Sequence, residues 1–171
     1  SVMAKIIEQI ESYSDITKEI TYRVGNINGG NFVNVIPTEC HAEVLCVAPN
    51  AEAVREIQNC MGEIESPDPD VHIEVETGPI RPLFQSSEGN MELFEIARKV
   101  AIELDLKLGH GQFGGGSDGN FTGALGIPTL DGLGVEGDGH HTKNEHLLVS
   151  SLVKRSQLFA GILGVLVDRH G

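Results

Sequence analysis

Between residues 2 and 76 the hydrophobic period swings between that of a helix and that of a strand, and the order of the swings restricts the topology more than any other feature. Val2, Met3, Ile6, Ile7 and Ile10 share one helical face, which predicts an amphipathic helix over residues 1–13. Ile20, Tyr22 and Val24 then alternate with Thr21 and Arg23, the period of a half-buried strand. Asn26-Ile27-Asn28-Gly29-Gly30-Asn31 reads as a loop of residues that tolerate positive φ, leading into Val33-Asn34-Val35-Ile36-Pro37. Residues 40–48 form the next expected strand, ended by Pro49-Asn50, and residues 51–61 a second helix with Val54, Ile57, Met61 and Ile64 at near-helical spacing. Val71, Ile73 and Val75 alternate with His72, Glu74 and Glu76 and predict a third strand. The order α-β-β-α-β is one strand short of the ferredoxin-like sandwich, in which two helices cover one face of an antiparallel sheet. The absent strand is the first, so the expectation is a chain that begins inside a larger domain.

The full 171 residues suit one domain or two small ones and are enough to bury roughly 70% of the unfolded surface. Thr77-Gly78-Pro79-Ile80-Arg81-Pro82 is stiff and turn-prone, and glycine-rich loops with longer helices follow it. The boundary is therefore placed between residues 80 and 81. A helix is expected over 91–104, with Asn90 as N-cap and Leu93, Phe94, Ala97, Val100, Ala101 and Leu104 inward. Short strands are expected over 107–113 and 126–130, the second after a brief helix. The terminal helix is expected over 147–168 with Leu152, Phe159, Ile162, Leu163 and Leu166 inward. Strands alternating with helices imply an α/β layer, and two strands are too few to complete one.

Composition narrows the function. Lys and Arg total 12 against 25 acids, a formal charge of -13, so nucleic acid is an unsuitable partner. Cys40, Cys46 and Cys60 are odd in number and lack C-x-x-C spacing, which favours reduced thiols in a cytoplasmic protein over a disulfide framework or a cysteine zinc site. The longest apolar run, residues 159–167, is broken by two glycines and falls short of the ~18 residues of a membrane span. Ser1-Val2-Met3-Ala4-Lys5 does not read as a leader.

Two segments could carry chemistry. Gly114-Gly115-Gly116-Ser117-Asp118-Gly119 lacks the Gly-Lys-Ser/Thr ending of a phosphate loop. Residues 115–119 do spell G-x-S-x-G, and Asp131 or Asp138 followed by His140 or His141 gives the chain order of a serine-hydrolase triad. Against that, the residues before Ser117 are polar and flexible where a nucleophile elbow needs a buried strand, and serine and histidine are only about two dozen residues apart. The third reading is a turn at a helix N-terminus whose N–H groups meet a substrate carboxylate, and a plain tight turn stands beside it. Residues 137–146 gather three of the seven histidines between glycines and acids. A glycine-flanked imidazole can be aimed at a metal ion and an acid can fix its tautomer, while a solvated loop explains the same letters. Adjacent side chains diverge, so at most one of His140 and His141 is expected to be a ligand.

Four segments in register, Asn34-Val35-Ile36-Pro37, Gly114–Phe121, Gly126-Ile127-Pro128-Thr129 and Gly139–Glu145, resemble the second half of M20-family metallopeptidases. The flavour is that of the glutamate carboxypeptidase (carboxypeptidase G2-like) branch, related to acetylornithine deacetylase and succinyl-diaminopimelate desuccinylase. The resemblance implies an α/β (α+β) fold. Residues 1–80 would be a ferredoxin-like lid and dimerisation domain lacking its first strand, and residues 81–171 the C-terminal part of a zinc-peptidase-like catalytic domain. It also implies two zinc ions and hydrolysis of an amide, in a peptide or an N-acyl amino acid, next to a free carboxylate. His141 corresponds to the family's last metal ligand and His140 to its neighbour. Gly116 and Ser117 would lie against substrate, Asp118 would shape the turn, and Asn34 would reach substrate from the lid. Arg81 would pair with a substrate carboxylate, a hinge salt bridge being the plainer alternative.

Two departures qualify the match. Leu45-Cys46-Val47 stands where the family commonly has Asp-x-Arg, so a usual carboxylate-binding arginine is missing. The remaining metal ligands, the glutamate base and the lid histidine all belong upstream of Ser1 in that pattern. The chain alone is therefore expected to be inactive, with no catalytic residue of its own, and to form a homodimer through the lid's open sheet edge. A serine hydrolase using Ser117 and a non-catalytic dimerisation module remain the alternatives.

Overall fold

A computed structural model describes residues 2–170, and the chain divides into two compact units, Ser1–Leu83 and Phe84–Gly171. The first unit begins with α1 (Val2–Ser12), whose Ile6 and Ile10 are buried; Ser1, included in the expected helix, lies outside the described residues. Asp15 ends the connection by capping a 3-10 turn at Ile16–Lys18, its Oδ1 accepting from the amides of Thr17 at 2.9 Å and Lys18 at 3.3 Å. β1 (Thr21–Gly29) and β2 (Cys40–Val47) then pair antiparallel from Thr21↔Val47 to Gly29↔Cys40.

This register puts Tyr22 opposite Cys46 and Val24 opposite Val44, and all four pack on the core formed by Ile6, Ile10, Ile20, Tyr22, Ala53 and Ile57. The neighbouring pair Arg23↔Leu45 faces outward, leaving Leu45 67% exposed. α2 (Ala51–Gly62), capped by Asn50 Oδ1 on the Ala53 amide at 2.9 Å, supplies Ala53 and Ile57. Tyr13 meets Tyr22 edge to face at 5.7 Å. Burial pushes both the Tyr22 phenol and the Cys46 thiol above their ordinary values.

Two expectations fail in this unit. Residues 26–29 belong to β1 and not to a loop, because the extra residue at the irregularity between Val24 and Asn26 re-phases the strand and lets pairing continue to Gly29. The strand expected at 71–76 is absent. Ile73 does pack on the core, but a ladder needs a partner backbone as well as the right alternation, and the hairpin pairs only with itself among the described residues.

The second unit is built on α3 (Glu88–Glu103) and α5 (Val149–His170), with α4 (Gly119–Ala124) and a two-residue ribbon, β3 (Gly137–Asp138) with β4 (His146–Leu147), between them. Its core joins Ile96, Ala97, Val100 and Ala101 to Leu158 and Ile162, with Leu133 and Leu166 packed at the margin. A Cβ on Gly161 would stand 2.6 Å from Val100 Cγ1, so the two helices meet where one has no side chain. α5 is long and apolar enough to cross a bilayer by length and composition, although glycines and charged residues interrupt its apolar run. In this fold its inward stripe is occupied by α3.

The N-cap of α3 is Ser87 and not Asn90: the helix starts three residues earlier than periodicity suggested, and Ser87 Oγ accepts from the Asn90 amide at 3.2 Å. Residues 107–113 and 126–130 form no strands; Leu106, Leu108 and Leu130 pack on the helical core without a ladder. α5 is also rotated from its expected phase. Leu158, not Phe159, is fully buried, while Phe159, Leu163 and Leu152 remain 49%, 47% and 40% exposed.

These observations set two outcomes. Leu158→Ala removes a fully buried side chain and should cost about 2–5 kcal/mol in urea denaturation, with Phe159→Ala far milder; equal effects would show that the helix phase is wrong. Cys40 is exposed, whereas Cys46 is partly buried with a raised thiol pKa, so peptide mapping after brief iodoacetamide treatment should find Cys40 alkylated well before Cys46.

Candidate functional site

The glycine turn is shaped by its own side chains. Ser117 donates its amide to Asn120 Oδ1 at 2.9 Å, and Ser117 Oγ accepts from the Gly119 amide at 3.1 Å. The backbone closes further through Asn120 N–H to Ser117 O and Phe121 N–H to Asp118 O, both at 3.1 Å, and leads into α4. Two N–H groups that could have met a carboxylate are thus used inside the turn. Asp118 occupies the cap position in a right-handed helical conformation and makes no capping bond with its side chain. No strand runs directly into Ser117 among the described residues, so the backbone geometry of a nucleophile elbow is not formed. Gly116 is exposed and Ser117 half-buried.

Asn90 ties this turn's helix to α3, a role that sequence reasoning missed. Its Oδ1 accepts from the Thr129 amide at 3.3 Å, and Thr129 Oγ1 donates to Thr122 Oγ1 on α4 at 2.8 Å. The available signal was an asparagine in the first turn of a helix with a capping serine already before it.

The histidine turn is carried on the ribbon in the register Gly137↔Leu147 and Asp138↔His146. Gly139 has φ +72° and His141 φ +62°, the left-handed region that a β-carbon disfavours. Thr142 stabilises the reversal: its amide donates to Gly139 O at 3.0 Å and its hydroxyl to the same oxygen at 2.7 Å, and Oγ1 accepts from the Asn144 amide at 3.1 Å. The three imidazoles differ in their partners. His146 Nδ1 lies 2.8 Å from Asn144 O, a contact that needs the proton on Nδ1, and His140 Nδ1 lies 3.8 Å from Glu145 Oε1. His141 is exposed on a strained backbone, and such strain is a recognised mark of functional positions.

Gly116, Ser117 and His141 therefore lie in the second unit, whereas Asn34, in the exposed loop between β1 and β2, and exposed Arg81 lie in the first. Among the described residues, no three His, Cys, Asp or Glu side chains converge where one metal ion could be held. A single imidazole does not retain zinc, which takes three or four protein ligands. The described residues by themselves do not form a zinc cage.

Comparison with known proteins gives these loops a context. The model of "Peptidase family M20/M25/M40" matches residues 5–164. The uncharacterized protein YqjE of Bacillus subtilis (strain 168) is 31% identical over 152 residues, which cover 86% of this chain and 40% of that protein. Carboxypeptidase G2 of Pseudomonas sp. (strain RS-16) is 28% identical over 156 residues, covering 87% and 37%. The chain thus spans about two-fifths of the length of the curated relatives it matches. Among solved structures, a tripeptidase from Staphylococcus aureus subsp. aureus Mu50 superposes with TM-score 0.64 at 22% identity, over 98% of this chain and 45% of that one. The aminopeptidase PepT of Bacillus cereus ATCC 10987 gives 0.59 at 23%, over 93% and 44%. At those identities the two superpositions establish the α/β fold alone.

Gly139 tests the turn directly. Its Cβ would lie 2.8 Å from Asn144 O in addition to imposing positive φ, so Gly139→Ala should destabilise the turn by roughly 1–2 kcal/mol. Amide exchange should quicken at Thr142 and Glu145 while the helical core keeps its protection; unchanged exchange would contradict this geometry.

Proposed function

The chain belongs to peptidase family M20/M25/M40, and on that premise we propose that it carries the lid and the last part of the catalytic domain of a glutamate carboxypeptidase-like hydrolase. Members of this family are generally metal-dependent peptidases. The proposed reaction is hydrolysis of a peptide or N-acyl amino acid at the amide next to a free carboxylate. The observation that supports this reading best is the continuity of the match: the lid hairpin, the glycine turn and the histidine turn all fall within residues 5–164. The similarity to carboxypeptidase G2 supports carboxypeptidase action in this reading.

His141 is proposed as one ligand of a zinc site, and two such ions are the expected complement. The described residues do not complete that site, and the chain alone is proposed to be inactive. Its own groups are assigned to binding. In the second unit Gly116 and Ser117 are assigned to border the substrate, with Asp118 shaping their turn; Asn34 and Arg81 are assigned to substrate binding in their own right. A chain of formal charge -13 repels an acidic substrate at long range, so a local cation must offset that field, and the planar fork of Arg81 suits two carboxylate oxygens.

Each hairpin strand has one ladder partner among the described residues, and these open edges support a homodimer through the first unit. The three free thiols support a cytoplasmic location, and the acidic charge argues against nucleic acid as a partner. No membrane partner is part of this proposal.

The reading is tested on the complete protein with N-acyl-glutamate and dipeptide substrates. Dialysis against a chelator should abolish turnover. His141→Asn, which tolerates the left-handed backbone, should lower it beyond the ~10–100-fold typical of disturbing an outer metal partner. Ser117→Ala should retain substantial activity. Loss of turnover in Ser117→Ala together with labelling of Ser117 by a phosphonate would replace this reading with a serine hydrolase.

A further inference from the structure

The chain between α4 and α5 contains only the two-residue strands of the ribbon, yet the ribbon is fastened to α5 at several points. Ser151, 8% exposed in the first turn of α5, accepts the Glu136 amide on Oγ at 3.0 Å and donates to Leu148 O at 2.7 Å. Leu148 N–H to Glu136 O at 2.8 Å closes the base of the ribbon. One helical turn further on, half-buried Arg155 reaches back to the segment before the ribbon, Nε donating to Gly134 O at 2.7 Å and Nη2 to Gly132 O at 2.6 Å. Between those two carbonyls Leu133 packs into the helical core. The segment is thus gripped on both sides, by an apolar side chain and by a planar fork whose donor spacing matches alternate carbonyls.

From this clamp we infer that Arg155 is the positioning residue for the histidine turn. It fixes the segment that enters β3, and so holds His141 relative to α5 without touching substrate. Arg155 lies three residues before Leu158, the most buried residue of that helix, so its own backbone stands on the rigid part of the unit. Lysine cannot substitute, since a point charge on a flexible stem does not span two carbonyls. The inference rests on His141 being a metal ligand, as proposed above.

The test compares Arg155→Gln and Arg155→Lys. Deuterium exchange on the 171-residue chain reads the clamp, and zinc affinity of the complete protein, measured against a chromophoric chelator, reads its consequence. In both variants the Glu136 and Leu148 amides should exchange about tenfold faster with α3 and α5 still protected, and zinc affinity should fall about tenfold, the effect of loosening a ligand's support. Unchanged exchange over residues 132–148, or full rescue by lysine, overturns the inference. Faster exchange with zinc affinity intact, in a protein whose His141→Asn variant loses zinc, also overturns it by reducing Arg155 to a structural role. If His141→Asn keeps zinc, the ligand assignment of His141 fails, and Arg155 positions no metal ligand.

Discussion

The contact between α3 and α5 is the constraint on which the second unit depends. Leu158 and Ile162 enter the row of Ile96, Ala97, Val100 and Ala101, and Gly161 lets the helices approach until Val100 fills the space where a side chain would be. Burying each large aliphatic side chain contributes about 1.5–3 kcal/mol, whereas a glycine within a helix costs about 1 kcal/mol relative to alanine. Close packing therefore outweighs the propensity it sacrifices. The first unit has a different root: Tyr22, 1% exposed, is the side chain around which the hairpin and two helices close.

Around the helical core, order comes from side chains bonding to backbone and not from sheets. Asn90 and Thr129 link α3 to the strap before residue 130 and to α4, Ser117 and Asn120 close the glycine turn, and Ser151 and Arg155 grip the histidine ribbon. Each is a short polar or forked side chain based on, or next to, a helix. Loops held in this way can expose Gly116 and His141 to solvent while keeping their backbones defined, the usual relation between a rigid scaffold and a functional loop.

Much of the architecture was legible in advance. Both amphipathic helices of the first unit, the core strands and the terminal helix lie close to where periodicity put them, and a brief helix does precede residue 126. The motifs led to the family to which the chain belongs. The failures have a common cause. Val71, Ile73 and Val75 alternate as a strand should, but alternation specifies which side chains turn inward and cannot provide a neighbouring backbone. On α5, leucine, valine and phenylalanine occur all round the helix, so several phases fit equally well and the fit to α3 selects the one that buries Leu158.

The amino-acid sequence by itself determined the two helices of the first unit, the beginning of β1 and the course of β2, the change of character near residue 80 and the two glycine-rich turns, because period, punctuation and residue type are local properties. Only the tertiary structure decided that β1 runs on through Asn26, that Asn90 serves a distant threonine, that His141 stands in a left-handed conformation, and that Arg155 reaches Gly132 and Gly134. Apart from the locally closed turn at His141, each of these joins atoms far apart along the chain. Their formation depends on what the packed cores bring within hydrogen-bond distance, which no window of sequence contains.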